Sequence, residues 1–591
     1  MWFSRVAAFL VACSVSVAAL AASPALSPYE KESLRLALEE VDGHVDSAPS
    51  GKWVEGTVVV SMDVVQDRDP APNFLNWFHA TSRSDVIEDE VLLRRGQRYD
   101  QALVDESERN LRAREQLSVV LIVPIEGSAK DRVKLLVVTK DVWSLRVNYE
   151  PIFVNNKLEY IALQPSEENL FGRHKILNAN VTVSRATYSL GLGFTDPRVG
   201  GSRLQAAGQA SLIFNCRTND VEGSTGAFSY GKPLYSTQTK WSWVAAATWA
   251  EGIVRPAGTL GQSVCSDDRA LPIDFAATPR VESIPYQFHQ DAIQSQISAT
   301  RSFGLAMKND ISFGLEASRA IYEPPDLSGQ PLLVQREFAS LLPVSDRRLD
   351  PFVQLHAYEN RFIRVLDLET LGLQEDYRLG HDVWVRAYPA AQSLGSTRNQ
   401  LGVYSAAGYT IPVWDGLARA YATSSIQISR PDQSDAAVSV GTRLVTPRLP
   451  FGRVVFDGFI LDRYENYLNP LQSLGGTTRL RGYRASAFVG PDLVIGNIEI
   501  RSRPVQILTV QVGAAAFFDF GDAFRQFSQM SLKRGIGGGL RFAFPQIQRS
   551  VLRVDFGIPL DPRVAGAERS LVVEFEQAFD MPVLTSPGLV P

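Results

Sequence analysis

The residues best placed for chemistry sit in one short stretch and on two runs that follow it. Residues 475–483 read Gly-Gly-Thr-Thr-Arg-Leu-Arg-Gly-Tyr, after a strand-like run at Arg453–Asn466. The two runs that follow each carry one acid, Glu499 and Asp519, on the face opposite Ile498, Ile500, Phe518 and Phe520. In an extended chain, side chains alternate between faces, so both acids belong to one face. A guanidinium on a loop can form a forked, charge-assisted pair with a carboxylate on such a face. Gly475, Gly476 and Gly482 leave room for a tight backbone path, and Gly521 supports it beside Asp519. The expected chemistry is therefore a lock in which Arg481 of Leu480-Arg481-Gly482-Tyr483 pairs with Asp519, with Glu499 in reach. No catalytic residue is expected. Glycine-rich phosphate loops, zinc-ligand spacing and nucleophile elbows do not occur. His289 and His356 lie in strand-like segments without matched partners. We expect no enzyme activity, no cofactor and no metal.

The elements that must hold this lock are strands. From about Trp143 to Phe579 the hydrophobic period is two. In Val551–Ile558, Leu552, Val554, Phe556 and Ile558 share one face, and Arg553, Asp555 and Gly557 the other. Leu508–Phe520 repeats the pattern, with Thr509, Gln511, Gly513 and Asp519 inward. Apolar-out, polar-in alternation over about ten residues is the pattern of a transmembrane barrel strand, although a soluble sandwich also alternates. Tight turns fall at Leu170–Arg173, Arg198–Gly201, Trp414–Gly416 and Pro447–Gly452. Longer polar segments fall at Arg255–Gln290, Glu323–Leu349 and Asn466–Asp492. Short turns at one end and long loops at the other fit an outer-membrane barrel. A literal pass finds up to about 20 candidate strands.

The chain has 591 residues and a formal net charge of -5. That length accommodates a large barrel and an accessory domain. The charge gives no support for nucleic-acid binding. Met1–Arg5 carries one positive charge, Val6–Leu20 is apolar, and Ala19-Leu20-Ala21 fits a small-x-small cleavage site. Residues 1–21 thus read as a secretory signal peptide, with a lipoprotein signal ending at Cys13 as the alternative. No later run of 18 apolar residues reads as a spanning helix. Residues 22–54 form a leader with one short helix, Tyr29–Val41. Residues 55–142 read as a small α/β domain. Its order is strand Gly56–Val65, a break at Asp67–Pro72, helix Ser84–Leu93 capped by Ser84 or Asp85, and helix Gln101–Arg114 capped by Asp100. Strands Leu117–Pro124 and Arg132–Thr139 complete it. The barrel occupies 143–579, its last strand is Ser570–Phe579, and 580–591 is a tail with Pro582, Pro587 and Pro591. Cys216 and Cys265 both fall in or near outward loops, where a disulfide or two free thiols are open alternatives.

Leu480-Arg481-Gly482-Tyr483 resembles the loop motif of the BamA/TamA-type outer-membrane assembly superfamily, also called bacterial surface antigen proteins. Glu168-Asn169-Leu170-Phe171-Gly172 resembles that family's early turn, and Thr195-Asp196-Pro197-Arg198 the strand-end pattern after it. Asn497-Ile498-Glu499 and Phe518-Asp519-Phe520-Gly521 resemble the acid-bearing strands that meet the loop arginine. Leu93–Leu111 resembles a POTRA domain, a periplasmic module that docks client strands by edge pairing. The resemblance covers nearly the whole mature chain. It implies a mainly β fold: an outer-membrane antiparallel barrel, with 16 strands in this family, preceded by one POTRA domain in the periplasm. It implies insertion or translocation of unfolded outer-membrane or secreted client proteins without nucleotide. Lipids and periplasmic accessory proteins are the further partners, and nucleic acid is not one. A dedicated two-partner secretion conduit and a passive channel or surface antigen are the alternatives. The family usually has two to five POTRA domains and often ends on an aromatic residue; this chain shows one such domain and a tail.

Overall fold

A computed structural model describes residues 26–584 apart from 66–75, 78, 155, 257, 276–280, 431, 477–478 and 580–581. The signal-peptide expectation, the break at Asp67–Pro72 and the last tail prolines lie outside the described residues.

The N-terminal part is a small three-stranded domain. Ser27 caps helix α1, Pro28–Glu40: its side chain accepts from Glu30 N, and the Glu30 side chain accepts from Ser27 N. This reciprocal pair satisfies two amides that a helix start leaves without partners. Strand β1 (Trp53–Met62) is followed by helices α2 (Ser84–Glu90) and α3 (Gln101–Arg112). Strands β2 (Leu117–Glu126) and β3 (Arg132–Asp141) close the domain in the order β1-β3-β2. β1 pairs with β3 in parallel and β2 with β3 antiparallel. Asp100 caps α3 by accepting from Ala102 N at 2.9 Å. α2 starts on an uncapped Arg83 and stops at Glu90, three residues short of the sequence expectation, because Val91 already has extended backbone. One face of the sheet packs under α2 and α3 around Ile87, Leu111 and Leu135. The other packs under α1 around Tyr29, Ala37 and Leu136. The expected leader helix is thus part of the domain's core.

The remainder is a closed antiparallel barrel. Twenty-two hydrogen-bonded segments form its wall. Arg361–Leu366 continues Asp346–Glu359 after a break at Asn360, and Val505–Ile507 continues Asp492–Ser502 after Arg503-Pro504. Counting each as one leaves 20 strands, which corrects the 16 that the family resemblance implied. Alternation sets the two faces as expected. Phe313, Leu315, Val353 and Leu355 are exposed on the outside, while Glu316 and Asp350, at alternate positions of the same two strands, and Arg386 on the next are buried inside. Two short hairpins, Pro272–Phe275 with Glu282–Pro285 and Gln472–Leu474 with Phe488–Gly490, lie in the long loops and not in the wall. At that loop end Cys216 and Cys265 form a disulfide, with Cα atoms 5.2 Å apart.

Closure is uneven. The strands Trp241–Val254 and Phe288–Phe303 pair at 14 positions. The last strand, Ser570–Phe575, meets the first, Leu145–Val154, at three: Ser570–Val154, Leu571–Phe153 and Val572–Ile152. So few ladder bonds make this the weakest seam in the wall. Leu145–Pro151 has no ladder partner on that side among the described residues. An edge-on contact of the Tyr149 and Phe575 rings, centroids 5.8 Å apart, spans it there. The last strand also ends four residues before the expected Phe579. At Glu576 the backbone turns to φ = 135° and leaves the wall.

The small domain lies across the barrel mouth opposite the long loops. Arg198 and Arg203, from the turn after Asp196, bind Glu90 at 2.9 and 3.1 Å. Thr237, from another turn, is held by Glu106, and Arg364 and Asp376, paired on adjacent strands, by Glu108 and Arg112. Asp141, at the end of β3, accepts from Ser82 N, from Asn169 Nδ2 and in a contact with His79. Asn169 also donates to Ala80 O and accepts from His174 N. Both early sequence motifs are therefore joints between domain and barrel.

His174, in the turn between two strands, is buried against Ser82 at 2.8 Å. Burial pushes its imidazole down from 6.5 to about 4, against the pull of Asp141 and Glu90 and with the help of Arg114 and Arg198. Between those values the unfolded joint binds more protons than the folded one, so the joint strengthens as pH rises through this window. Expected outcome: hydrogen exchange of residues 79–83 and 169–174 speeds up as pH falls from 6.5 to 4, beyond the intrinsic pH trend, and His174→Gln removes that excess. An unchanged profile in the variant contradicts the assignment.

Candidate functional site: a buried arginine lock beside the seam

The loop between Arg453–Asn466's strand (Gly452–Asn466) and Asp492–Ser502 turns back into the barrel. Gly475 and Gly476 have φ of 116° and 105°, and Gly482 has φ of 93°. Leu480 and Tyr483 anchor the loop in an apolar cluster with Leu474, Leu493, Ile495 and Ala523. The Tyr483 hydroxyl donates to Arg534 O at 2.9 Å. Arg481 is thereby delivered, fully buried, to the inner wall.

Its guanidinium makes the forked pair expected from the sequence. Nε donates to Asp519 Oδ2 at 2.8 Å and Nη2 to Asp519 Oδ1 at 2.9 Å. Nη1 donates to Glu499 at 3.1 Å. Nη1 also reaches Asp555 at 2.9 Å, and the group stacks 3.3 Å from the Phe517 ring centre. Around these acids stand three more arginines. Arg501 binds Glu499 at 2.9 Å, Arg541 binds Glu499 and Asp555, and Arg553 binds Asp555 and Glu574. Four arginines thus face four carboxylates, drawn from the loop and the last five strands. Buried charges persist only when paired and hydrogen-bonded in this way.

The loop backbone needs a gap in the wall. A side chain on Gly482 would meet Ile558 C at 2.8 Å; one on Gly535 would meet Arg481 O at 2.2 Å, and one on Gly557 Gly482 N at 2.8 Å. Gly521 is closed off by Val494 O at 2.6 Å and Leu474 at 2.9 Å. Gly482 N donates to Ser570 Oγ at 3.0 Å. Ser570 also pairs with Val154, so one residue carries both the lock and the seam.

The structure brings together Arg481, Asp519, Glu499, Leu480, Gly482 and Tyr483. Sequence reading missed Asp555, Arg541, Arg553, Phe517 and Ser570. Alternation already put Asp555 and Arg553 inward, but it carries no cross-strand register, so it could not aim them at the loop. Cys216 and Cys265 lie at the loop end, away from the lock. Among the described residues, no group of acids, histidines and cysteines is arranged to hold a metal ion.

No family model matches this chain, and no curated protein matches it. Among solved structures it is similar to BamA from Haemophilus ducreyi lacking POTRA domains 1–3, at 10% identity and a TM-score of 0.33 over 88% of this chain and 84% of that one. It is similar to CdiB from Escherichia coli, at 10% identity and a TM-score of 0.42 over 89% and 77%. It is also similar to the alcaligin outer-membrane receptor FauA from Bordetella pertussis, at 10% identity and a TM-score of 0.31 over 77% and 81%. The likeness spans barrels of different kinds, so function has to be argued from this chain's own lock, seam and capping domain.

Removing Arg481 leaves buried Asp519 without an arginine partner and takes one charge-assisted bond each from Glu499 and Asp555. Breaking a buried ion pair by deleting one partner costs about 3–5 kcal/mol. Expected outcome: Arg481→Ala lowers the unfolding midpoint of the purified barrel, read by heat-modifiable electrophoretic mobility. Arg481→Lys recovers only part of the loss, because an ammonium cannot fork to Asp519. An unshifted midpoint for Arg481→Ala means the cluster does not brace the wall.

Proposed function

We propose that this barrel, which resembles the BamA/TamA-type outer-membrane assembly superfamily in motif order and architecture, resides in the outer membrane and inserts or translocates client proteins without nucleotide. The observation that carries the reading is the seam. It has three paired positions, and beneath them Leu145–Pro151 has backbone groups with no ladder partner on that side among the described residues. Lipid cannot satisfy such groups, so an exposed edge favours pairing with an incoming strand. The lock keeps the last five strands in register while the first strand parts from them at the seam.

The small domain takes the role of a periplasmic POTRA domain. β1 is terminal in its sheet, and from Gly56 to Met62 its outer edge has no strand neighbour among the described residues. An extended, unfolded client can add to that edge. Held over the barrel mouth by its contacts to the turns, the domain places a bound client beside the entrance.

The test clamps the seam. A Tyr149→Cys, Phe575→Cys pair joins the two strands on oxidation. Expected outcome: cells depleted of the native protein and supplied with the clamped one lose many unrelated outer-membrane barrels in quantitative proteomics, and reductant restores them. Loss of one secreted protein alone identifies a dedicated conduit instead. An unchanged proteome overturns the transport reading.

A further inference from the structure

The described residues that follow the last strand, 576–579 and 582–584, are seated in the lumen. Glu576 N donates to Val551 O at 2.8 Å, and its φ of 135° directs the chain inward. A residue with a Cβ rarely adopts that conformation unless its surroundings impose it. Gln577 then makes two lumen contacts: Oε1 accepts from Arg541 Nε at 3.3 Å, and Nε2 donates to Glu369 O at 3.0 Å. Ala578 and Phe579 are 1% and 4% exposed, on an apolar floor that includes Leu368, Leu417 and Val455. Three guanidinium groups surround the Phe579 ring: Arg443 at 4.8 Å, and Arg479 and Arg501 at 5.7 Å. Farther on, buried Leu584 lies over Gly408 on the inner wall.

The chemistry of this seat is generic. Cations over an aromatic face recognise any aromatic side chain, and an arginine opposite a backbone carbonyl suits any amide side chain. Nothing in it requires a covalent link to the last strand. The seat also touches the lock, since Arg501 and Arg541 both bind Glu499. Arg479 belongs to the lock loop and pairs with Asp457, as does Arg443.

We propose that the seat holding Gln577–Phe579 is a lumenal docking site for an extended polypeptide segment with an aromatic side chain, and that the tail is its resident competitor in cis. This rests on the transport reading for its biological client, but the site is tested without one. The probe is a fluorescent peptide spanning residues 576–584, and the readout is its polarisation with purified full-length protein, with protein ending at Phe575, and with full-length Phe579→Ala. Folding is checked by heat-modifiable mobility. Expected outcome: the shortened protein binds the peptide, and binds its Phe579→Ala version at least about tenfold more weakly. Full-length protein binds little, and the Phe579→Ala protein regains binding. Should the shortened form not fold, the Phe579→Ala protein alone decides. Folded, tail-free protein that ignores the peptide, or binds both peptides equally, overturns the proposal. Peptide binding with an unchanged outer-membrane proteome after clamping removes the transport reading and leaves the seat.

Discussion

The hydrogen bond from Gly482 N to Ser570 Oγ joins the two features on which this barrel depends. Ser570 is one of the three residues that close the wall. Gly482 follows the arginine that holds three inner carboxylates. The seam strand is therefore fixed from inside more than from its neighbour. Its ladder to the first strand is short, while Glu574 on the same strand enters the buried charge cluster through Arg553. A closed wall of this kind is held by its lumen. Ser570 through Gly482, and Glu574 through Arg553 and Asp555, tie the last strand to Arg481.

Burying four arginines with four carboxylates is a poor way to gain stability alone, because desolvation offsets much of the attraction. It is a good way to fix register. Glu499 and Asp555 each accept from three arginines on different elements, so sliding one of those strands breaks several charge-assisted bonds together. A greasy core would tolerate such a slip. The glycines at 482, 535 and 557 serve the same end, because the loop fits the wall only where two strands lack side chains. The outer face shows no such selectivity: exposed Leu, Val, Ile and Phe there answer to lipid and are interchangeable in kind.

This difference explains what was legible in the sequence. Alternation alone identified the wall, both of its faces and the lumen placement of Glu499, Asp519 and Asp555. Taken literally, it also gave about 20 strands; deferring to a family's usual 16 moved the count away from the observed wall. The Arg481–Asp519 pair was legible because a loop arginine and a lone inward acid leave few other partners. Arg541 and Arg553 were not, because period two says which face a residue takes and nothing about its neighbour across the sheet. The turn motifs around Asn169 and Arg198 stood out in the sequence, yet their partners, Asp141 and Glu90, lie in the small domain and became evident only once that domain was seated.

The tail shows where sequence reasoning fails for a physical reason. Continued as a strand, Gln577 and Phe579 would fall on the lipid face with Leu571, Val573 and Phe575. A phenylalanine in that position is what a barrel's last strand ordinarily presents, so the pattern gave no warning. The chain instead breaks at Glu576, a residue with no intrinsic taste for φ of 135°. What overrides the local preference is non-local: an apolar floor built from distant strands, and three paired guanidinium groups gathered around the Phe579 ring. The last strand is short because the residues that could have lengthened it are bound elsewhere. One turn thus both shortens the last strand and fills the lumen.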